Sequence, residues 1–191
     1  ASTSGSWALA PPEAQGLRLA VRTAWPPGRA TLGVVPVLVA REAMESLGQL
    51  FRDKGVTLEG EITENCPPVL ADRDRLMQVM INLLSNAVKF VPGETGVVQV
   101  MVDAGEREVR VEVRDNGPGL TAAECQVIFE KFRQGGNTMT DKPQGTGLGL
   151  PISRQIVEYF GGKLWAESQP GAGARFIFTV PLPAREQRGR H

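Results

Sequence analysis

The chain has 191 residues, 41% of them hydrophobic, and 21 Lys plus Arg balance 21 Asp plus Glu to give zero net charge. That suits one domain of ordinary size with flanking segments, and the charge balance excludes a general electrostatic grip on nucleic acid or anionic lipid. No apolar run approaches the ~20 residues that span a bilayer, no signal peptide is read, and the single histidine, terminal His191, excludes a His-based metal site or a Ser-His triad.

Residues 1–33 read as a linker or irregular extension: "ASTSGS" opens them, Pro pairs stand at 11 and 26, and only "LRLAVRTAW" has the pattern of a strand. Residues 37–55 form an amphipathic helix ending at Gly55, and "VTLEGEI" alternates as a strand. A strong helix follows over 72–90, stopped by Pro92 and Gly93. "GVVQVMVDA" and "REVRVEVRD" read as two strands joined near Gly105. A polar stretch over 116–147 holds one short helix at "TAAECQVIFEKF". Another helix, "LGLPISRQIVEYFGG", ends at Gly161 and Gly162; "KLWAES" and "ARFIFTVPL" then form a hairpin, and 184–191 is a frayed tail. Helices mixed with mostly antiparallel strands give an α/β sandwich, one sheet with helices on one face. Cys66 and Cys125 read as reduced thiols rather than a disulfide.

Helical spacing divides the 72–90 segment. Leu76, Val79, Met80, Leu83, Leu84, Ala87 and Phe90 share a broad apolar face, while Arg75, Gln78, Asn82, Asn86 and Lys89 form a narrow polar stripe. A solvated face is the plain reading of such a stripe. Yet Asn is a mediocre helix former that competes for the backbone, and a merely solvated face is better served by Glu, Lys or Gln. Amides one turn apart can help ligate a Mg²⁺ whose other ligands are water and phosphate oxygens, with Lys89 neutralising phosphate charge. Both readings stay open on spacing alone.

Two glycine clusters follow. In "DNGPGL" (115–120), Asp115 serves a turn; as a functional group, its carboxylate would accept from an exocyclic amine such as adenine's, with Gly117 and Gly119 letting the backbone pass close to a flat ring. "GTGLGL" (145–150) is neither a dinucleotide fingerprint, since no strand precedes it, nor a P-loop, since no Gly-Lys-Ser/Thr occurs. It is a glycine-rich loop running into a helix, whose free N–H groups and dipole suit phosphate. "QPGAGARF" (169–176) reads most simply as a hairpin turn.

In their order, "NLLSNAVKF", "DNGPG", "IFEKF", "GTGLGL" and "GAGARF" resemble the N, G1, F, G2 and G3 boxes of the catalytic ATP-binding domain of bacterial sensor histidine kinases, over about Val34 to Pro183. The resemblance implies a domain at 34–183 with the GHKL or Bergerat fold: a two-layer α/β sandwich, its mixed, mostly antiparallel sheet of about five strands under three main helices, with ATP beneath a mobile lid. It implies Asn86 as the Mg²⁺-binding amide and Asn82 and Lys89 as phosphate or metal-shell contacts, these three carrying the catalysis. Asp115 would read adenine, Gly117 and Gly119 would shape that pocket, and Phe90 would stack on the ring. Phe129 and Phe132 would anchor a lid over 133–144. Gly145, Thr146, Gly147, Leu148 and Gly149 would hold the triphosphate, with Lys131, Arg133 and Lys142 as candidate γ-phosphate contacts.

One position departs from the related ATPases, which carry a water-activating Glu four residues before the metal-binding Asn. Here Asn82 stands there, and an amide is no general base. The chain is thus better suited to hand the γ-phosphoryl to another group than to hydrolyse ATP. The resemblance implies that this group is a histidine on a separate dimerisation domain, with a response regulator downstream, ATP and Mg²⁺ as cofactors, a cytoplasmic location, and no contact with nucleic acid or membrane. A nucleotide-binding module without transfer and a gyrase-type ATPase are the alternatives; a serine kinase of the anti-sigma-factor kind shares the fold.

Overall fold

The computed structural model describes residues 32–63, 65–130 and 147–183. Its elements run β1 (Leu32–Val34), α1 (Pro36–Asp53), β2 (Thr57–Ile62), β3 (Val69–Ala71), α2 (Arg73–Phe90), β4 (Val97–Ala104), β5 (Glu108–Asp115), α3 (Ala122–Val127), α4 (Gly149–Tyr159), β6 (Leu164–Ser168) and β7 (Ala174–Pro181). The main sheet has five strands in the order β2-β4-β5-β7-β6, and β1 pairs with β3 in a small ribbon. β2 lies parallel to β4; the other pairings in the main sheet are antiparallel. A mixed, mostly antiparallel sheet under α1, α2 and α4 is the expected architecture. β1 and β3 are three residues each, too short for their alternation to be legible. The candidate strand "LRLAVRTAW", the proposed lid and the C-terminal tail lie outside the described residues.

Local chemistry sets the helix boundaries. α1 opens on Pro36, where a missing N–H costs nothing, and stops before Gly55 at φ +65°. At α2, Asp72 caps the first turn by accepting from the Arg75 N–H at 3.1 Å. The helix ends as Val91 turns extended before Pro92, the conformation a residue preceding proline prefers. Thr121 and Glu124 form a reciprocal capping box on α3.

The core lies between sheet and helices. The two-residue period of β5 sends Val109, Val111, Val113 and Asp115 to the helix-covered side, where all four are buried. They meet Val98, Val100 and Val102 of β4 and Phe176, Phe178 and Val180 of β7 across the register. From α2, Leu76, Val79, Met80, Leu83, Leu84, Ala87 and Val88 close over them. Phe90, which spacing assigns to the apolar face, is instead 52% exposed, while Val88 and Val91 on either side of it are buried. Cys66 and Cys125 are free thiols.

Candidate nucleotide site

The strand period that buries Val109, Val111 and Val113 also fixes the place of Asp115. Its carboxylate is the last member of an apolar row and only 7% exposed. Burial is the main influence on its pKa and raises it above the usual Asp value; hydrogen bonds from the Gly117 and Ala174 N–H groups act the other way. Those donors reach Oδ1 at 2.9 and 3.3 Å.

The turn after Asp115 is held from several directions. The Asn116 amide donates to the Thr95 carbonyl at 2.9 Å and accepts from the Val97 N–H at 2.8 Å, tying the turn to the start of β4. A Cβ on Gly117 would stand 2.8 Å from Asp115 Oδ1 and 3.1 Å from the Phe90 carbonyl oxygen, so the end of α2 and this turn nearly touch. Gly119 has φ +73°, and a Cβ there would meet the Gln169 carbonyl at 2.1 Å.

The segment 169–173 does more than turn a hairpin. The Gly171 N–H donates to the Pro118 carbonyl at 2.7 Å. The Ser168 hydroxyl accepts from the Leu120 N–H at 2.7 Å and donates to the Gly173 carbonyl at 2.6 Å. A Cβ on Gly173 would lie 2.0 Å from the Asp115 carbonyl oxygen. The β6–β7 turn is therefore the wall that positions Asp115. Spacing missed Asn116 and Ser168, since their contacts to Val97 and Leu120 span 19 and 48 residues.

The polar stripe of α2 reaches the second glycine cluster from its other end. Asn82, Asn86 and Lys89 are each half-buried. The Asn82 amide nitrogen donates to the Gly149 carbonyl at 3.2 Å and to the Ser153 hydroxyl at 3.1 Å. Lys89 holds its ammonium 4.7 Å from the centre of the Phe90 ring, an electrostatic contact with the ring face. About 12 Å of helix separates Asn82 from Phe90 at 1.5 Å per residue. α2 thus forms the long side of the site, with the Asp115 turn at its C-terminal end and the start of α4 near its middle. Gly147 takes φ +65° just before α4. No side chain caps that helix at Leu148, and its first turn carries the N–H groups of Gly149 and Leu150, Pro151 having none. Phe129 is buried, with the Arg154 guanidinium 5.6 Å from its ring centre. Lys131, Phe132, Arg133, Lys142, Gly145 and Thr146 lie outside the described residues.

Among the described residues no group of three or more His, Cys, Asp or Glu stands ready for a metal ion. No described helix is long and apolar enough to cross a membrane. An open depression of about 900 Å³, lined by Pro67, Pro68, Glu106 and Leu182 among others, lies at the other end of β4 and β5.

Comparison with known proteins places the chain. The model of the histidine kinase-, DNA gyrase B-, and HSP90-like ATPase family matches residues 71–184. The adaptive-response sensory kinase SasA of Parasynechococcus marenigrum (strain WH8102) is 38% identical over 145 residues, which is 75% of this chain and 37% of that kinase. The sensor protein GacS of Pseudomonas syringae pv. syringae is 33% identical over 162 residues, 83% of this chain and 17% of that protein. The chain thus spans about a third or less of these relatives. Among solved structures, the catalytic domain of histidine kinase ThkA superposes with a TM-score of 0.66 at 32% identity, covering 78% of this chain and 97% of that domain. Full-length ShkA in complex with AMPPNP superposes at 0.69 with 31% identity, covering 80% of this chain and 31% of ShkA. Family model, sensory kinases and catalytic-domain structures point the same way: the chain belongs to the histidine kinase-, DNA gyrase B-, and HSP90-like ATPase family, as a catalytic ATP-binding domain of the histidine-kinase kind.

Proposed function

We propose that this domain binds Mg-ATP along α2, with adenine at Asp115 and phosphates at the start of α4, and transfers the γ-phosphoryl to a histidine on a separate dimerisation domain. The observation that carries the reading is the layout of α2, which contacts one glycine cluster through the Asn82 side chain and approaches the other at the Phe90 carbonyl. At the adenine end, the buried Asp115 carboxylate accepts from the exocyclic amine, Gly117 leaves room for the ring, and Phe90 offers an exposed aromatic face. At the phosphate end, the N–H groups that open α4 offset negative charge; the Lys89 ammonium, which rests over the Phe90 ring, would reach the phosphates by turning away from that ring. Asn86, with Asn82 beside it, is the amide donor set that fits a hard cation sharing its remaining sites with water and phosphate. Mg²⁺ there would supply further charge neutralisation. The triphosphate is also assigned Gly145, Thr146 and Lys142, with Phe132 anchoring the lid.

Phosphoryl transfer asks the protein for positioning and charge neutralisation. The bond from γ-phosphorus to the bridging oxygen breaks, ADP leaves with the electron pair, a phosphorus–nitrogen bond forms at the imidazole, and the displaced imidazole proton goes to solvent. Asn82 cannot deprotonate water, which favours transfer over hydrolysis. The AMPPNP complex of ShkA supports the nucleotide reading, and the complex of ThkA with the response regulator TrrA supports a response regulator as the downstream partner. Membership among sensor kinases supports a cytoplasmic location.

The test is to mix the chain with ATP, Mg²⁺ and a cognate histidine domain. Phosphohistidine is expected, with negligible ATP turnover when the acceptor is omitted. Tight ATP binding with no phosphohistidine would favour a nucleotide-binding module without transfer. Steady acceptor-free turnover, abolished in Asn86→Ala, would instead reveal a gyrase-type ATPase.

A further inference from the structure

Ser153 lies in the middle of α4 with 0% exposure, beside the buried Pro151, Ile156 and Val157 of the same helix. A hydroxyl is a costly group to bury without a partner, and the residue belongs to none of the nucleotide contacts assigned above. Its partner is the Asn82 amide nitrogen at 3.1 Å, which also donates to the carbonyl of Gly149, the first residue of α4, at 3.2 Å.

This pair of acceptors settles which way the Asn82 amide faces. A backbone carbonyl can only accept, so the side of Asn82 turned to Gly149 must be the NH₂ group. The Ser153 hydroxyl takes the second N–H, leaving the amide oxygen as the atom available to a cation. Reversed, the amide would set its oxygen against the Gly149 carbonyl and offer N–H groups, the positive end of its dipole, to the metal. The bond to the Gly149 carbonyl also holds the first turn of α4 against α2, and it does not depend on Ser153.

Building on the Mg-ATP reading, we propose that Ser153 is a positioning residue for the nucleotide-bound cation: with the Gly149 carbonyl it orients the Asn82 amide, oxygen outward, beside Asn86. Ser153 touches neither nucleotide nor metal. Its effect is therefore specific to the cation-dependent part of binding.

Two variants of the 191-residue chain test this. Ser153→Ala deletes the acceptor; Ser153→Cys keeps a side chain of similar size with a weak acceptor, so it carries the test if the alanine variant folds poorly. ATP affinity is measured by calorimetry with Mg²⁺ and, separately, with EDTA. The expected result is unchanged affinity in EDTA and a gain on adding Mg²⁺ that is about three- to tenfold smaller than in the wild type, the scale of one lost hydrogen bond. Mn²⁺ in place of Mg²⁺, followed by the paramagnetic resonance of the free ion, should show the same fold loss in cation affinity of the ATP complex. Equal losses with and without cation, or a wild-type gain in both variants, would overturn the assignment and leave Ser153 a packing residue. Absence of ATP binding by the wild type under every condition would overturn the Mg-ATP reading, and this inference with it.

Discussion

Asp115 carries opposing demands. Its desolvated charge opposes folding, while the same desolvation strengthens a hydrogen bond to a ligand. For an acid whose folded-state pKa is raised, the associated stability is present at low pH and is lost as pH rises through that value, so at neutrality the ionised group costs stability. Asp115→Asn keeps a carbonyl oxygen for the Gly117 and Ala174 N–H groups and removes the charge. ATP affinity in this variant is expected to fall by about 1.5–3 kcal/mol, the range for a hydrogen bond to a charged group, with the urea midpoint unchanged or higher. Unchanged affinity by calorimetry, in a folded variant, would remove the adenine assignment. In the wild type, ATP affinity should decline on acidification at a higher pH than an ordinary Asp would impose, and GTP should bind more weakly because a carbonyl replaces the exocyclic amine. Gly173 is the companion residue. Its φ of +77° and the 2.0 Å approach of the Asp115 carbonyl to any added Cβ leave no room for a side chain. Gly173→Ala should lower stability by about 1–3 kcal/mol and weaken ATP binding together, since it shifts the wall that holds Asp115; chemical denaturation and calorimetry on one sample read both.

At the scale of elements, the strand period that sends Asp115 toward the helices sends Glu112 to the other face of β5. Glu112 is 4% exposed there, clasped by Arg175 through two bonds of 2.7 and 2.9 Å and by Arg110 at 3.1 Å. The Arg175 hydrogen bond is the largest influence on its carboxyl and holds it below the ordinary Glu value. A depressed acid contributes stability above its unfolded pKa, lost as pH falls through the folded one. Glu112→Gln should therefore destabilise the domain at neutral pH by about 1–3 kcal/mol, softened by the partial exposure of both arginines. The gap between variant and wild type in urea should close on acidification below the ordinary Glu value. A gap independent of pH would show that packing rather than charge links β5 to β7. The bidentate Arg175 pair reaches across neighbouring strands, at 63 residues' separation, so nothing in the local pattern of either strand announces it.

At the scale of the molecule, the proposed site draws on α2, the end of β5, the β6–β7 turn and the start of α4, so a ligand held there would couple to all four. Mg-ATP at a hundred times its Kd should stabilise the native state by about 2.7 kcal/mol by mass action, visible as a raised melting temperature. Asn86→Ala should remove the part of that rise that depends on Mg²⁺ while keeping the part that ATP alone provides. A rise equal with and without Mg²⁺ in the wild type would argue against a metal beside Asn86. The chain order of the motifs conveys this assembly only through resemblance, for each glycine cluster by itself has the composition of an ordinary turn.

Periodicity and local chemistry determined the boundaries of the long helices α1 and α2 and the faces of β5. The Asp72 cap, Gly55 and the stop at Pro92 act within one turn of the residues they end, and alternating valines on β5 sort the strand into two faces. The same local information put Asn82, Asn86 and Lys89 on one stripe and Asp115 at a strand end. Tertiary structure decided what those side chains face, because the deciding contacts join residues far apart in the chain. The 169–173 turn became the wall behind Asp115, Phe90 was left exposed between the buried Val88 and Val91, and the Asn82 amide was oriented by two acceptors on a helix 67 and 71 residues away. Spacing can say that an amide stands on a given face; only the packing of α4 against α2 says which end of that amide a ligand would meet.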